Sequence, residues 1–163
     1  ATLEIVGDGS LLDQLKDRVF ELGLESKVTF HGKVPQDKVI SILLEADLFC
    51  YPTSASEGFP KVVLEAMSVG LPVISTRVSV LQHLINQRCG ILLDEATPIS
   101  LSNAIVELYA DKNLYEEMSR GAIEVSKPYT LEAWTERIRE LLIEAWVCPA
   151  RSANLELPEK MGT

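Results

Sequence analysis

Short apolar runs alternate with amphipathic stretches along the first two thirds of the chain. LEIVG (residues 3–7), VTF (28–30), LFCY (48–51), VIST (73–76) and CGILL (89–93) are continuous and apolar, each ending at glycine, proline or a polar residue. Runs of that length and continuity are expected of strands buried on both faces. Between them the apolar positions take helical spacing. Residues 10–22 gather Leu11, Leu12, Leu15, Val19 and Leu22 on one face, with Ser10 placed as cap and Gly23 placed to end the helix. Pro35 suits the start of a second helix, whose end is bracketed by Ile40, Leu43, Leu44 and Asp47. Residues 59–69 predict a third helix, with Pro60 in its first turn and Gly70 as its stop. A short helix is expected over 80–86, and 99–109, 114–125 and 131–146 read as three closing helices.

Strands alternating with helices predict an α/β fold: a parallel sheet with helices on both faces. Residues 1–147 are expected to form one domain and 148–163, where the periodicity stops, a disordered tail. Folds of this class bind ligands beyond the carboxyl ends of their strands. Gly7, Gly32, the 53–58 loop and the segment after Thr76 all fall there.

Composition narrows the functional classes. A length of 163 residues suits a single core, and 47% hydrophobic with 24% charged residues is ordinary globular usage. Fifteen basic against twenty-four acidic residues leave a net charge of −9, which opposes nonspecific nucleic-acid binding and a broad anionic membrane face. The three cysteines, Cys50, Cys89 and Cys148, form no CxxC pair; two buried thiols and one near the tail fit a reducing, cytoplasmic setting. No apolar run approaches the roughly 18 residues of a membrane span, and no signal peptide is visible.

Chemistry concentrates in a few places. VGDGS carries Gly7 and Gly9, but Leu12 stands where a dinucleotide fingerprint needs its third glycine. The turn is either a tight strand-to-helix connection or a backbone edge that passes close to a ligand. His31 follows a strand alone, with His83 far along the chain, so neither a metal cluster nor a Ser-His-Asp arrangement is supported.

The richest stretch is EGFPKVVLEAMSVGLPVIS, from residue 57 to 75. At about 100° per residue, Phe59, Val62, Val63, Ala66, Met67 and Gly70 share one face, while Lys61, Leu64 and Ser68 point away. Glu65 falls at the edge of the apolar stripe, and Glu57 precedes the electropositive helix end, where Gly58 and Phe59 offer N–H groups. Such an end can hold a pyrophosphate while carboxylates on either side accept hydrogen bonds from sugar hydroxyls. Alternatively, Glu57 caps the helix locally and Glu65 pairs with Lys61.

The string EGFPKVVLEAMSVGLPVIST closely resembles the donor-binding motif of the glycosyltransferase group 1 family, the retaining enzymes also called family 4. The likeness extends outward through LEIVGDGS, LGLESKVTFHGKV, LLEADLFCYPTSASEGFP and CGILL, covering residues 3–146. It implies that Glu57 is the catalytic-site carboxylate, bonded to hydroxyls of the donor hexose, and that Glu65 holds the nucleotide ribose. Gly58, Phe59 and Pro60 would lie against sugar and diphosphate, Gly7 and Gly9 would border the donor cleft, and His31, Gly32 and Lys33 would pass the base.

By the same resemblance the chain would be the donor-binding, C-terminal domain of a two-domain GT-B enzyme, a Rossmann-like parallel sheet with helices on both faces. It would transfer a sugar from a UDP-, GDP- or ADP-sugar to an acceptor hydroxyl with retention, using neither cofactor nor metal. An N-terminal acceptor domain, and a first strand with a basic Arg/Lys segment, would precede Ala1, so the piece by itself is expected to be inactive. Peripheral membrane contact would come through the acceptor half, and an open sheet edge would favour a homo-oligomer or domain swap. The family's two glycines and glutamate after the fourth strand become Ser79, Val80 and His83 here. That departure keeps a degenerate, noncatalytic domain as one alternative; another nucleotide-sugar enzyme of the same build, such as an epimerase, is the other.

Overall fold

Five parallel strands alternate with helices in the computed structural model, which describes residues 1–56 and 58–147. In order they are β1 (Leu3–Val6), α1 (Leu12–Glu21), β2 (Val28–Gly32), α2 (Gln36–Glu45), β3 (Phe49–Tyr51), α3 (Lys61–Ser68), β4 (Val73–Thr76), α4 (Leu81–Leu84) and β5 (Gly90–Leu93). Then come α5 (Pro98–Ala110), α6 (Lys112–Ser126), a 3-10 turn (Lys127–Tyr129) and α7 (Leu131–Val147). The described residues divide into two compact units, 1–125 and 126 onward, the first without residue 57. The tail expected over 148–163, with Cys148, lies outside the described residues.

The strands do not make one sheet. β1 pairs with β2, and β3, β4 and β5 form a three-stranded sheet in that order; no ladder joins the two among the described residues. Strand periodicity shows that a segment is extended and buried, but not which edge it pairs with.

β4 is the buried centre of the larger sheet, with all four residues inaccessible. Successive β3 side chains go to opposite faces. Phe49 packs with Leu43, Ala66 and Leu71 under α2 and α3. Cys50 packs with Ile74, Leu93, Ala104, Leu108 and Met118 under α5 and α6. The three-stranded sheet is therefore covered on both faces, which is why its strands read as unbroken apolar runs. Burial pushes the thiols of Cys50 and Cys89 above their ordinary range, so both stay protonated at neutral pH.

Helix ends follow the glycines. After α1 the Gly23 N–H bonds to the Phe20 carbonyl and the Leu24 N–H to Val19, with Gly23 at φ +65°. After α3 the same pair of bonds runs from Gly70 to Met67 and from Leu71 to Ala66, with Gly70 at φ +84°. Only glycine takes that left-handed position without strain. α5 starts on a reciprocal capping box between Thr97 and Ser100, with Pro98 in its first turn.

Three local expectations need correcting. Ser10 does not cap α1; Leu11 is the N-cap and no side chain bonds the helix end. The leucine stripe of α1 is not buried, since Leu11, Leu15 and Leu22 are all exposed and no residue of the helix is inaccessible. Amphipathicity marks the face that can be covered, but the two-stranded β1–β2 sheet supplies little to cover it. Finally, the motif helix starts at Lys61 rather than Phe59, and Pro60 is its N-cap with extended ψ of 99°. A residue before proline is pushed out of the helical region, so Phe59 stays outside the helix and 43% exposed instead of joining the buried face.

A candidate nucleotide-sugar site at the strand ends

The carboxyl ends of β1 and β2 are locked together by glycine. The Gly7 N–H donates to the Gly32 carbonyl at 2.9 Å, and both residues have positive φ, +133° and +63°. A Cβ built on either meets nothing within 4 Å, so backbone conformation rather than crowding calls for glycine, and the surface over them is open. Gly9 follows in the turn to α1, where its carbonyl accepts from the Leu12 N–H. One residue before Gly32, the His31 ring Nε2 lies 2.7 Å from the Glu4 carboxylate. β1 pairs in parallel with β2, Glu4 opposite Thr29, so the two side chains meet on one face of the pair. Lys33 is exposed in the loop that leads to α2.

The loop after β3 is tied down from β4. The Ser75 hydroxyl donates to the Tyr51 carbonyl at 2.7 Å, and the Thr76 hydroxyl donates to the carbonyl of Thr53. Both hydroxyls are buried, and these bonds satisfy them while fixing where the loop departs. Gly58 and Phe59 are exposed, Pro60 is buried, and α3 begins at Lys61. Among the described residues no side chain caps this helix and no acidic residue sits in its first turn, so its leading N–H groups keep their partial positive charge. Glu57 lies outside the described residues.

Glu65 sits in the second turn of α3 and is half-buried. It does not pair with Lys61. Its Oε1 accepts a 2.9 Å hydrogen bond from the side-chain amide of Gln36, the first residue of α2. That bond links the motif helix to the segment that follows His31, Gly32 and Lys33. Oε2 makes no bond among the described residues and remains an anionic acceptor. The arrangement can hold an anion on the helix end and a vicinal diol on the carboxylate.

Three residues of the neighbourhood carried no signal that the sequence reading used. Gln36 is one, and Glu4 beside His31 is the second. The third is Arg77, directly after β4, whose Nε donates to Asp94 at the end of β5 over 2.7 Å. A cation just past a strand end was detectable from position alone; the Gln36 and Glu4 contacts depend on packing between segments distant in sequence.

The substitutions after β4 have a conformational consequence. Ser79 adopts φ +51°, in the left-handed region, whereas Val80 is helical at φ −66° and ψ −22°. A side chain at Val80 is unstrained; one at Ser79 carries a cost of about 1–2 kcal/mol.

The chain is similar to known proteins over most of its length. The family model described as "Glycosyl transferases group 1" matches residues 1–125. The D-inositol 3-phosphate glycosyltransferase of Corynebacterium urealyticum is 31% identical over 128 residues, covering 78% of this chain and 30% of that protein. The N-acetyl-alpha-D-glucosaminyl L-malate synthase of Bacillus anthracis is 34% identical over 125 residues, 76% of this chain and 32% of that one. The chain thus spans about a third of the length of these curated relatives. Among solved structures, Anabaena HepE in complex with UDP-glucose superposes with a TM-score of 0.77 at 25% identity, over 88% of this chain and 41% of its own. The sucrose-phosphate synthase of Thermosynechococcus elongatus gives 0.77 at 25% identity, over 89% and 38%.

Proposed function

The chain belongs to the glycosyl transferases of group 1, and from that premise we propose that it forms the donor-binding part of a retaining glycosyltransferase. The donor is a nucleoside-diphosphate sugar, and a UDP-sugar is favoured by the similarity to HepE, which was solved with UDP-glucose. The observation that carries the reading is the pairing of an α3 N-terminus that no side chain caps among the described residues with the half-buried Glu65 one turn further on. The helix end suits the diphosphate. The Glu65 carboxylate suits the ribose hydroxyls, to which a charged acceptor makes strong, directional bonds.

In the reaction, the bond between the anomeric carbon and the diphosphate oxygen breaks, and a bond to the acceptor oxygen forms on the same face of the sugar. The acceptor proton passes to the departing diphosphate, so atoms and charge balance without a protein nucleophile. The protein's task is then to orient the donor and stabilise charge growing on the leaving group. Glu57 belongs at the donor hexose, Gly58, Phe59 and Pro60 at sugar and diphosphate, and Gly7, Gly9, His31, Gly32 and Lys33 along the nucleoside. The donor is a substrate, and this chemistry calls for no separate cofactor.

A second reading has its own observation. Ser79 keeps a glycine-like backbone but adds a side chain after β4, which suits a domain that holds nucleotide weakly and does not catalyse transfer.

Calorimetric titration with UDP, GDP and ADP tests donor binding itself. One of the three should bind, and Glu65→Ala should weaken it about 10- to 100-fold, as expected when a charged acceptor loses its bonds to a diol. No heat at millimolar ligand, or an unchanged constant in the variant, contradicts the assignment. Transfer activity in the full-length protein, with an acceptor-binding half present, then separates the enzyme from the noncatalytic reading.

A further inference from the structure

Glu65 does not stand alone on its helix. Gln36 heads α2, and its Nε2 donates to Glu65 Oε1 at 2.9 Å across 29 residues of sequence. The contact crowns an apolar seam. Val39, Ile40 and Leu43 follow Gln36 along one face of α2, while Ala66 and Val69 follow Glu65 along α3, and these residues pack in a single cluster. The packing of that seam sets how the two helices approach one another, and so brings the amide to the carboxylate. Pro35, the N-cap at φ −68° and ψ 160°, fixes where α2 begins and hence where Gln36 stands.

The chemistry of the pair is informative. A lysine or arginine in this position would neutralise the carboxylate and compete for the oxygens that a ligand needs. A glutamine amide is neutral: it occupies one oxygen, fixes the carboxylate plane, and leaves Oε2 as a charged acceptor. A half-buried glutamate without such a partner still samples several rotamers, and that freedom would be lost on binding. Holding the carboxylate beforehand removes part of the cost.

We propose that Gln36 is a positioning residue, which presets the Glu65 carboxylate for a vicinal diol and thereby makes the site selective for a ribonucleotide. The proposal rests on the ribose role given to Glu65 above. Gln36 acts through Glu65, so its effect disappears wherever the diol or the carboxylate is missing.

The test uses the full chain, UDP and 2′,3′-dideoxy-UDP as probes. Wild type is expected to prefer UDP. Gln36→Leu, close in volume but without polar atoms, should bind UDP about three- to tenfold more weakly, the order expected for one ordinary hydrogen bond, since Glu65 itself stays in place. Its affinity for the dideoxy nucleotide should not change. Gln36→Lys, whose charge competes with the ligand for the carboxylate oxygens, should not recover the preference, and Gln36→Leu added to Glu65→Ala should cause no further loss. Thermal melting of each variant confirms that it is folded.

If wild type fails to distinguish the two nucleotides, or binds neither, the ribose reading falls and the inference with it. Suppose instead that wild type discriminates and Glu65→Ala does not. A Gln36→Leu variant that still discriminates like wild type overturns the inference alone. So does one that weakens both nucleotides equally, because that is a structural effect on the whole site.

Discussion

Gly121→Ala should lower the melting temperature by about 10 °C, although it replaces the poorest helix former but proline with the best. Gly121 lies inside α6, where helix propensity alone predicts a gain of about 1 kcal/mol. Packing opposes it. A Cβ at this position would stand 1.7 Å from the carbonyl oxygen and 2.7 Å from the carbonyl carbon of Arg88, in the turn that enters β5. The obstructing atoms are backbone, so no rotamer change relieves the contact; either α6 retreats or the turn moves. Inserting even one methylene into a packed interior costs about 1–3 kcal/mol, and more where backbone must shift. A net loss of about 3 kcal/mol corresponds to a fall of about 6–12 °C for a chain of this size, and is a large share of the ~5–15 kcal/mol that holds a domain folded. A raised melting temperature would show that helix and turn are not in contact as described.

Gly90→Ala should be comparably damaging for a different local reason. Gly90 opens β5 opposite Val73 in the parallel ladder. A Cβ there would come within 2.0 Å of the Val73 carbonyl oxygen and 2.9 Å of its carbonyl carbon. Backbone conformation is not the obstacle, because Gly90 does not have positive φ. The obstacle is the neighbouring strand. β4 is buried on all sides and cannot yield without disturbing the cores on both faces of the sheet. About 3 kcal/mol of destabilisation is expected, read as a shifted urea midpoint with an unchanged slope. Gly9→Ala is the control for both substitutions: its Cβ meets nothing within 4 Å and its φ is not in the left-handed region. Its stability should stay within about 0.5 kcal/mol of wild type.

These glycines mark the boundary of what the chain discloses before folding. Strands were legible because each is a short apolar run with punctuation at both ends; VIST falls on residues 73–76 in both the sequence reading and the structure. The glycine stops at Gly23 and Gly70 were legible for the same reason, since their chemistry is local. Gly121 gave no such signal, because its requirement comes from a turn more than thirty residues away. The exposed stripe of α1 shows the opposite failure, where a local pattern was clear and its partner was not. The division into two sheets belongs to the same class, as pairing is not written in the period of a strand.

The candidate site divides along that line too. The motif string, its two glutamates and the strand-end glycines stand in the sequence, and the resemblance they carry matched the family model over residues 1–125. The resemblance could not say that Pro60 caps α3 rather than lying in its first turn. It also could not say that Glu65 turns to Gln36 instead of Lys61, because that choice depends on how α2 packs on α3.

The most direct measurement is a crystal structure of the full chain with UDP bound. Ribose hydroxyls should lie on the Glu65 carboxylate and the diphosphate over the first-turn amides of α3, at Lys61 and Val62. A nucleotide ordered elsewhere on the molecule, with Glu65 still bound only to Gln36, would contradict that placement.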